Sequence, residues 1–345
     1  MKILCVSGYA AWEKVSENMM PSHHLFGIHE MIDHYESDIN KHIRGIINPK
    51  TFPEGGYIDF YMWKSNKNIF PQITNLLKMS CKYDVIYDHL NRCSIYLGIF
   101  KKLGILKCRL LTIMHHPPYD IQLRLFDSDG YIFFDEDYKK LAEKSCPKKK
   151  AKYYVNKWLP DTQWYKQIKD SVKLNSDVFF IDNGKSKRDR ETLIASAEAA
   201  KIRIDYAGIK NETQGYARSY SINLKDDIGM VQRLKQYHAL VIPVLKNEKH
   251  KIGPLGITSF LDSIALGIPI IASDNVCFAN EILKHNLGIV FKTGDIDALS
   301  KALRTMQKNE KLYGEYSRSM LIYQQKYNIQ QYSEKTVLII KDIIK

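Results

Sequence analysis

Short apolar runs alternate with segments of helical periodicity along most of this 345-residue chain. Each run has the length of one buried strand; the runs are residues 2–7, 83–87, 110–114 and 131–134, then 178–182, 202–208, 239–244, 268–273 and 288–291. Strands that alternate with helices predict parallel sheets with right-handed crossover connections. The fold class is therefore predicted to be α/β, with doubly wound sheets.

The alternation is interrupted at Pro160 and Asp161 and then starts again. The chain also exceeds the size at which a single hydrophobic core usually stops growing. We therefore predict an N-terminal Rossmann-like domain over residues 1–158, a C-terminal one over 159–320, and a helix within 321–345 that packs back on the N-terminal domain. Ligands of such sheets bind at the carboxyl ends of the strands, so two facing domains predict a binding cleft between them.

Targeting and metal-binding signals are absent from the sequence. No apolar run reaches the roughly 18 residues that span a bilayer, and the first residues lack the features of a signal peptide, so we expect a cytoplasmic protein. The cysteines form no CxxC pair, which predicts reduced thiols and no structural zinc. They are Cys5, Cys81, Cys93, Cys108, Cys146 and Cys277.

The formal net charge of +13 favours an anionic partner such as a nucleotide, an acidic glycan, a membrane surface or a nucleic acid. Nucleic acid is not expected, because no recognition motif is present and the basic residues are spread over both halves. Two dense basic clusters predict either a solvated surface or contact with anionic lipid or substrate. They are Lys148, Lys149, Lys150 and Lys152, and Lys101, Lys102, Lys107 and Arg109.

Basic residues crowd the turn between the run at 178–182 and the helix that follows it. Lys185 and Arg188 lie in this turn, next to Gly184. The start of a helix carries a partial positive charge, so cations there are unfavourable unless they share a bound anion. The turn therefore predicts a phosphate site, unless its side chains simply point into water. Its spacing matches neither a P-loop nor a dinucleotide-binding fingerprint.

A second polar segment precedes the helix near residue 257. Gly256, Thr258 and Ser259 are small or carry hydroxyls, which lets backbone N–H groups reach a phosphate. Asp262 lies four residues after Thr258, which places both on one face of the helix. Its carboxylate can accept hydrogen bonds from both hydroxyls of a ribose, although it would also favour the helix dipole without any ligand.

Histidine pairs follow predicted strands of the N-terminal half. His115 and His116 end one strand, while His23 and His24 lie in the segment after the first strand, and Asp88 ends another strand. Substrate contacts and loop hydrogen bonds are both open for these residues. Adjacent histidines cannot easily share one metal and no third ligand is near in sequence, so zinc is not expected.

Together the two polar segments resemble the family 4 glycosyltransferases (GT4) of the GT-B fold. The similarity is closest to the subgroup with a G-K-x-x-R-D-x-x-T-L turn and an I-T-S-x-L-D-x-x-A-L-G-x-P-I-I-A helix. The matching residues are Gly184, Lys185, Arg188, Asp189, Thr192 and Leu193, then Ile257, Thr258, Ser259, Leu261, Asp262, Ala265, Leu266, Gly267, Pro269, Ile270, Ile271 and Ala272. The resemblance is strong over residues 176–300 and weaker over the first 165.

The resemblance implies a retaining, metal-independent enzyme without a cofactor, with two facing Rossmann-like domains. Its donor would be a nucleotide-diphosphate sugar, a UDP- or GDP-sugar, and its acceptor a glycan or lipid-linked molecule of cell-surface polysaccharide biosynthesis. Family habit and the basic clusters suggest a cytoplasmic enzyme that touches the inner face of a membrane.

The resemblance also implies roles for individual residues. Lys185 and Arg188, with Gly256, Thr258 and Ser259, would bind the donor diphosphate. Asp262 would bind the ribose.

On the side of the N-terminal domain, one residue of the pair His115 and His116 would contact the transferred sugar as a catalytic group. His23, His24 and Asp88 would face the acceptor.

The sequence departs from the wider family in the loop before Asp262. Most members carry two glutamates eight positions apart, but Pro254 stands eight positions before Asp262, and Glu248 is the nearest substitute upstream. Two other functions fit parts of the sequence. A sugar-nucleotide epimerase shares the two-domain architecture, and the net charge with 22 tyrosines would suit a non-enzymatic polyanion-binding protein.

Overall fold

The computed structural model divides into two compact units, each with its own sheet. The first unit comprises Met1–Leu159 with Ile329–Lys345, and the second comprises Pro160–Asn328. The structure describes all residues except 38–42, 51, 54, 65–66, 92, 116–126, 147–149, 170–177, 185, 222, 224–225 and 246–254.

The first unit is built on an eight-stranded sheet. Its strands are β1 (Lys2–Gly8), β2 (Ile32–Ser37), β3 (Ile43–Ile47), β4 (Tyr57–Trp63), β5 (Val85–Asp88), β6 (Arg109–Ile113), β7 (Gly130–Phe133) and β8 (Lys152–Val155). Its helices are α1 (Tyr9–Ser16), α2 (Ile28–Met31), α3 (Ile69–Ser80), α4 (Ser94–Lys102) and α5 (Glu136–Ser145), with a 3₁₀ helix at Ser22–Leu25. The strand order is β2-β3-β4-β1-β5-β6-β7-β8, and the strands from β4 to β8 are parallel.

The antiparallel strands β2 and β3 extend this sheet at one edge, and the sequence pattern did not predict them. Strand β2 includes Asp33, His34 and Glu36, which are all exposed. An edge strand with a solvated face carries no continuous apolar run, so the feature that identified the inner strands is missing.

The second unit is built on a seven-stranded sheet. Its strands are β9 (Phe180–Asp182), β10 (Ile204–Gly208), β11 (Glu212–Gln214), β12 (Ala217–Ser221), β13 (Ala239–Ile242), β14 (Ile270–Ser273) and β15 (Gly288–Phe291). Its helices are α6 (Thr162–Gln167), α7 (Arg190–Ala200), α8 (Asp227–Leu234), α9 (Ile257–Leu266), α10 (Ala279–Lys284), α11 (Ile296–Lys308) and α12 (Glu310–Lys326). The order is β11-β12-β10-β9-β13-β14-β15, parallel except for β11.

Alternate residues of the central strands pack into two separate cores of this unit. Leu240 and Ile270 belong to one core, while Val241 and Ile271 belong to the core on the other face of the sheet. This two-sided burial explains the continuous apolar runs. Because β9, β13 and β14 are parallel, their carboxyl ends meet at one edge, where β9 ends at Asp182.

The C-terminal helices belong to different units. The second domain was predicted to end at residue 320, but helix α12 continues beyond that residue to Lys326. Its residues Met320, Tyr323 and Gln324 are buried in the second unit. The next helix, α13 (Ile329–Ile344), packs in the first unit, where Asn156 donates a 2.9 Å hydrogen bond to the Thr336 hydroxyl. The observed limit therefore lies at Asn328. No helix within the described residues is both long and apolar enough to cross a bilayer.

Candidate active site

Two arginines share one buried carboxylate at the carboxyl end of β9. Arg188 Nε lies 3.1 Å from Asp182 Oδ1, and Arg190 Nη1 donates to Asp182 Oδ2. Asp182 is fully buried and the Arg188 side chain is only 3% exposed. Arg190 is held further by the carbonyl oxygen of Ala207, at 2.6 Å, and by the ring of Tyr206 below its guanidinium. Two guanidinium groups with one carboxylate leave one positive charge in excess.

The guanidinium of Arg188 is aimed at the start of α9. Its Nη2 donates a 2.9 Å hydrogen bond to the Ser259 hydroxyl. Gly184 packs directly against the same group, because a Cβ at Gly184 would lie 2.0 Å from Arg188 Nη2. Gly256 caps the helix with φ +82°, a left-handed conformation that favours glycine. The excess charge thus lies beside free N–H groups of a helix start, which is how proteins bind phosphates.

The turn that carries Arg188 is tied to the neighbouring strand. Arg188 forms an isolated β-bridge with Val244, and the Asp189 N–H donates a 2.9 Å hydrogen bond to the carbonyl oxygen of Pro243. The Asp189 carboxylate accepts from the N–H and hydroxyl of Thr192 and so caps α7. Within the predicted G-K-x-x-R-D-x-x-T-L segment, the part from Arg188 to Thr192 is therefore held by hydrogen bonds to the strand and to the helix.

Asp262 lies on α9 with both carboxylate oxygens engaged. The Tyr165 hydroxyl donates to Oδ1 at 2.5 Å, and Asn183 Nδ2 donates to Oδ2 at 2.8 Å. Burial raises the pKa of Asp262 to about 6, against the lowering effect of these two hydrogen bonds, and the charge of Asp227 raises it further. Asn183 follows Asp182 directly, so the last residue of β9 holds Arg188 and the next residue holds Asp262.

The structure brings together four of the residues predicted to bind the donor. Arg188, Gly256, Ser259 and Asp262 surround the start of α9, and Thr258 lies exposed in the first turn of the same helix. Lys185 lies outside the described residues, as do Glu248 and Pro254.

Sequence reasoning missed three residues that shape this site: Asp182, Asn183 and Tyr165. Asp182 and Asn183 had a usable signal, because they form a polar pair at the end of a buried strand. Tyr165 had none, since it contacts Asp262 across 97 positions of sequence.

A small cavity of about 160 Å³ opens near this edge, between the end of β12 and the start of α8. Arg233 lies 4.4 Å above the ring of Tyr220, and the charge of Asp182 contributes to the raised pKa of Tyr220, after burial. The lining residues are Tyr220, Ser221, Asn223, Asp226, Gly229, Met230 and Arg233. The cavity therefore offers aromatic, cationic and acidic groups close to the Asp182 carboxylate.

The histidines of the first unit belong to an aromatic cluster around Phe26. Phe26 stacks on Trp158 and meets the ring of His115 edge to face. His115 contacts the carbonyl oxygen of His89 through Nε2, whereas His116 lies outside the described residues. The cluster fixes His115 in one place at the carboxyl edge of the first sheet.

Two other residues predicted to face the acceptor, His23 and Asp88, are both buried. His23 is buried beside His24, and burial lowers its pKa well below the usual value. Asp88 is fully buried and accepts hydrogen bonds from the N–H and hydroxyl of Ser94 at the start of α4. Its oxygens therefore stabilise the turn after β5.

The predicted basic clusters are partly neutralised. Lys101 and Arg109 both pair with Asp129, and Lys152 pairs with Asp342. Lys148 and Lys149 lie outside the described residues. Across the described part of the chain, no group of three or more histidine, cysteine or acidic side chains has a metal-binding arrangement.

Several solved structures share the architecture of this chain. A glycosyltransferase from Rickettsia africae superposes with a TM-score of 0.67 at 12% identity, with 100% of this chain and 98% of that one covered. HepE from Anabaena, in complex with UDP-glucose, gives 0.63 at 11% identity, with 99% and 100% covered. Sucrose-phosphate synthase from Thermosynechococcus elongatus gives 0.64 at 11% identity, with 99% and 98% covered. The chain has the GT-B fold, as predicted.

A family model matches part of the second unit. Residues 207–323 match the model described as "Glycosyl transferases group 1". The match covers less than half of the chain, and it agrees with the predicted resemblance to the GT4 glycosyltransferases. A search of curated proteins gives no match.

Proposed function

We propose that the second unit binds a nucleotide-diphosphate sugar, with the diphosphate at Arg188. The observation that carries this proposal is the excess positive charge of the Asp182, Arg188 and Arg190 cluster at the start of α9. Both arginines pair with the same carboxylate, so the cluster has one more cation than it has anions, and a bound anion would stabilise it. A diphosphate supplies that anion.

The residues around Arg188 bind different parts of the donor. Arg188, Lys185 and the Ser259 hydroxyl bind the diphosphate, and Asp262 binds the ribose. During transfer the bond between the sugar and the diphosphate breaks, and negative charge develops on the departing oxygen. Lys185 and Arg188 stabilise that charge in the role that a metal ion has in other transferases.

The base of the nucleotide binds in the cavity beside Tyr220 and Arg233. The proximity of this cavity to Asp182 and the flat surface of the Arg233 guanidinium support this placement. UDP is the first nucleotide to test, because the similar HepE structure was solved with UDP-glucose.

The first unit binds the acceptor, a glycan or lipid-linked molecule of cell-surface polysaccharide biosynthesis. His115, with its ring fixed by Phe26, is the residue we assign to the transferred sugar, and His116 follows it. His23 and His24 remain acceptor-side candidates. Asp88 is left out, because its carboxylate is occupied by Ser94.

The enzyme works in the cytoplasm at the surface of an anionic membrane. Lys102 and Lys107, next to the exposed side chains of Leu103 and Ile105, support this part of the proposal. Sedimentation with anionic vesicles at low salt tests it. Protein that stays in the supernatant would exclude the membrane contact and leave the transferase unaffected.

Thermal stabilisation by a panel of nucleotides tests the donor site. UDP, GDP, ADP, CMP and dTDP are compared, each with its sugar conjugate where one exists, on the native protein and on Lys185→Ala, Arg188→Ala and Asp262→Asn. We expect one nucleotide to raise the Tm, and the shift to be lost in these variants. Arg218→Ala is the matched control, because Arg218 pairs with Asp205 in the same sheet but away from α9. Equal loss in the control, or no shift with any nucleotide, would overturn the proposal.

A further inference from the structure

The Asn183 side chain has one hydrogen-bonding group in use and one without a partner. Its Nδ2 donates to Asp262 Oδ2, while its Oδ1 is buried and has no hydrogen-bond partner among the described residues. A buried acceptor without a donor is unfavourable, so such groups are uncommon in proteins unless a ligand or a water molecule supplies the donor.

The orientation of this amide is fixed by its neighbour. An ionised carboxylate can only accept hydrogen bonds, so the NH₂ group of Asn183 must face Asp262 and its oxygen must face away. Tyr165 holds the other oxygen of the same carboxylate. Its ring is buried with Trp164, Val231 and Ala265, which keeps the hydroxyl in place.

Two hydrogen-bonded neighbours, Asp262 and Asn183, therefore each keep an acceptor: the remaining lone pairs of the Asp262 carboxylate and the Oδ1 oxygen of Asn183, which has no partner among the described residues. Two adjacent acceptors match the two adjacent hydroxyl donors of a ribose. We infer that Asn183 is a second ribose-binding residue, with its amide oxygen accepting one ribose hydroxyl while Asp262 accepts the other, and that Tyr165 is a positioning residue for Asp262. This inference rests on the proposed donor site.

The burial of Asp262 favours a second acceptor for the ribose. Asp262 is only 5% exposed, and both of its carboxylate oxygens already accept hydrogen bonds from Tyr165 and Asn183. A single deep carboxylate is poorly placed to accept both hydroxyls. A neighbouring amide oxygen supplies the second acceptor.

Deoxy analogues of the donor nucleotide test the inference directly. Dissociation constants for UDP, 2′-deoxy-UDP and 3′-deoxy-UDP are measured by calorimetry on the native protein, Asn183→Ala, Asp262→Asn and Tyr237→Phe. If the panel above identifies another base, its analogues replace these three. Tyr237 is the control because its hydroxyl donates to Asp205 in the same unit, as Tyr165 does to Asp262.

We expect the native protein and Tyr237→Phe to lose about tenfold in affinity for each deoxy analogue. Asn183→Ala is expected to bind UDP more weakly. It should bind one of the two deoxy analogues about as well as UDP, and should still bind the other analogue more weakly than UDP. If Asn183→Ala discriminates against both analogues as the native protein does, the Asn183 assignment is wrong although the donor site stands. If the native protein binds no nucleotide, the proposed function itself fails.

Discussion

Arg188 and Ser259 are 71 residues apart in sequence, yet Arg188 Nη2 donates a 2.9 Å hydrogen bond to the Ser259 hydroxyl. This bond joins the turn after β9 to the first turn of α9. The guanidinium is held from behind by Asp182, so its direction is set before any ligand arrives. A preformed cation at a helix start avoids the entropic cost of ordering a flexible side chain on binding.

Replacement of Asp182 by asparagine should weaken diphosphate binding, although Asp182 is not assigned a contact with the ligand. The change removes the charge that orients Arg188, so we expect about tenfold lower affinity, equivalent to about 1.4 kcal/mol. Asp205→Asn is the control, since Asp205 is also buried and paired with an arginine. Calorimetry should show lower affinity only for Asp182→Asn, and equal affinities would contradict the role of Asp182.

Replacement of Gly184 by alanine should displace the Arg188 guanidinium. The new Cβ would lie 2.0 Å from Nη2, whereas a Cβ at Gly314, on helix α12, meets nothing within 4 Å. We expect Gly184→Ala to lose most nucleotide binding, measured by thermal shift. Gly314→Ala should bind normally and be up to about 1 kcal/mol more stable, because alanine favours a helix. Normal binding by Gly184→Ala would be evidence against the importance of this contact.

Tyr165→Phe should move the pH dependence of donor binding upward. Burial raises the pKa of Asp262 to about 6, and the Tyr165 hydrogen bond opposes that rise, as the bond from Asn183 does, while Asp227 adds to it. Binding that needs the ionised carboxylate is therefore present above about pH 6 and lost below it.

Without the Tyr165 hydroxyl the pKa of Asp262 rises further, so affinity is lost at a higher pH and recovers in alkali. An intact nucleotide sugar should be the ligand in this measurement. It has no terminal phosphate, so the ligand itself does not change its charge near pH 6. Tyr237→Phe should keep the native midpoint. A Tyr165→Phe midpoint equal to the native one would refute the positioning role.

Gly27→Ala should destabilise the first unit more than Gly104→Ala. Both glycines have positive φ, +79° and +72°, so the backbone strain is similar. At Gly27 a Cβ would also lie 3.0 Å from the Cα of Ser333 on helix α13, while at Gly104 it meets nothing within 4 Å. We expect the Tm of Gly27→Ala to fall several degrees further. Equal Tm values would mean that close packing of α13 against Gly27 does not limit the side chain at this position.

Most of the parallel strands could be predicted because burial on two faces leaves a continuous apolar run, but the inner strands β4 and β12 lie outside the predicted runs. The run at residues 239–244 contains β13, and the run at 268–273 contains β14. The edge strand β2 could not be predicted in this way, since its outward side chains are polar.

The candidate site was predictable where function leaves a local motif. Arg188 and Asp262 each lie in a short stretch with family character, so sequence alone singles them out. The partners of Asp262 are Tyr165 and Asn183, from two other elements, and only the fold brings them to the carboxylate. Long-range hydrogen bonds between polar residues leave no periodicity in a sequence. The contacts of Tyr165 and Asn183 with Asp262 could therefore not be predicted from sequence alone.

The proposed donor site depends on recognition of a diphosphate by Arg188. The most direct test is the ratio of dissociation constants for UMP and UDP, or for the mono- and diphosphate of whichever nucleoside binds, in the native protein, Arg188→Ala and Arg218→Ala. We expect the native protein and Arg218→Ala to prefer the diphosphate by about tenfold or more, in line with a charge-assisted hydrogen bond of about 1.5–3 kcal/mol, and Arg188→Ala to lose most of this preference although Lys185 remains. A full diphosphate preference in Arg188→Ala would contradict the account.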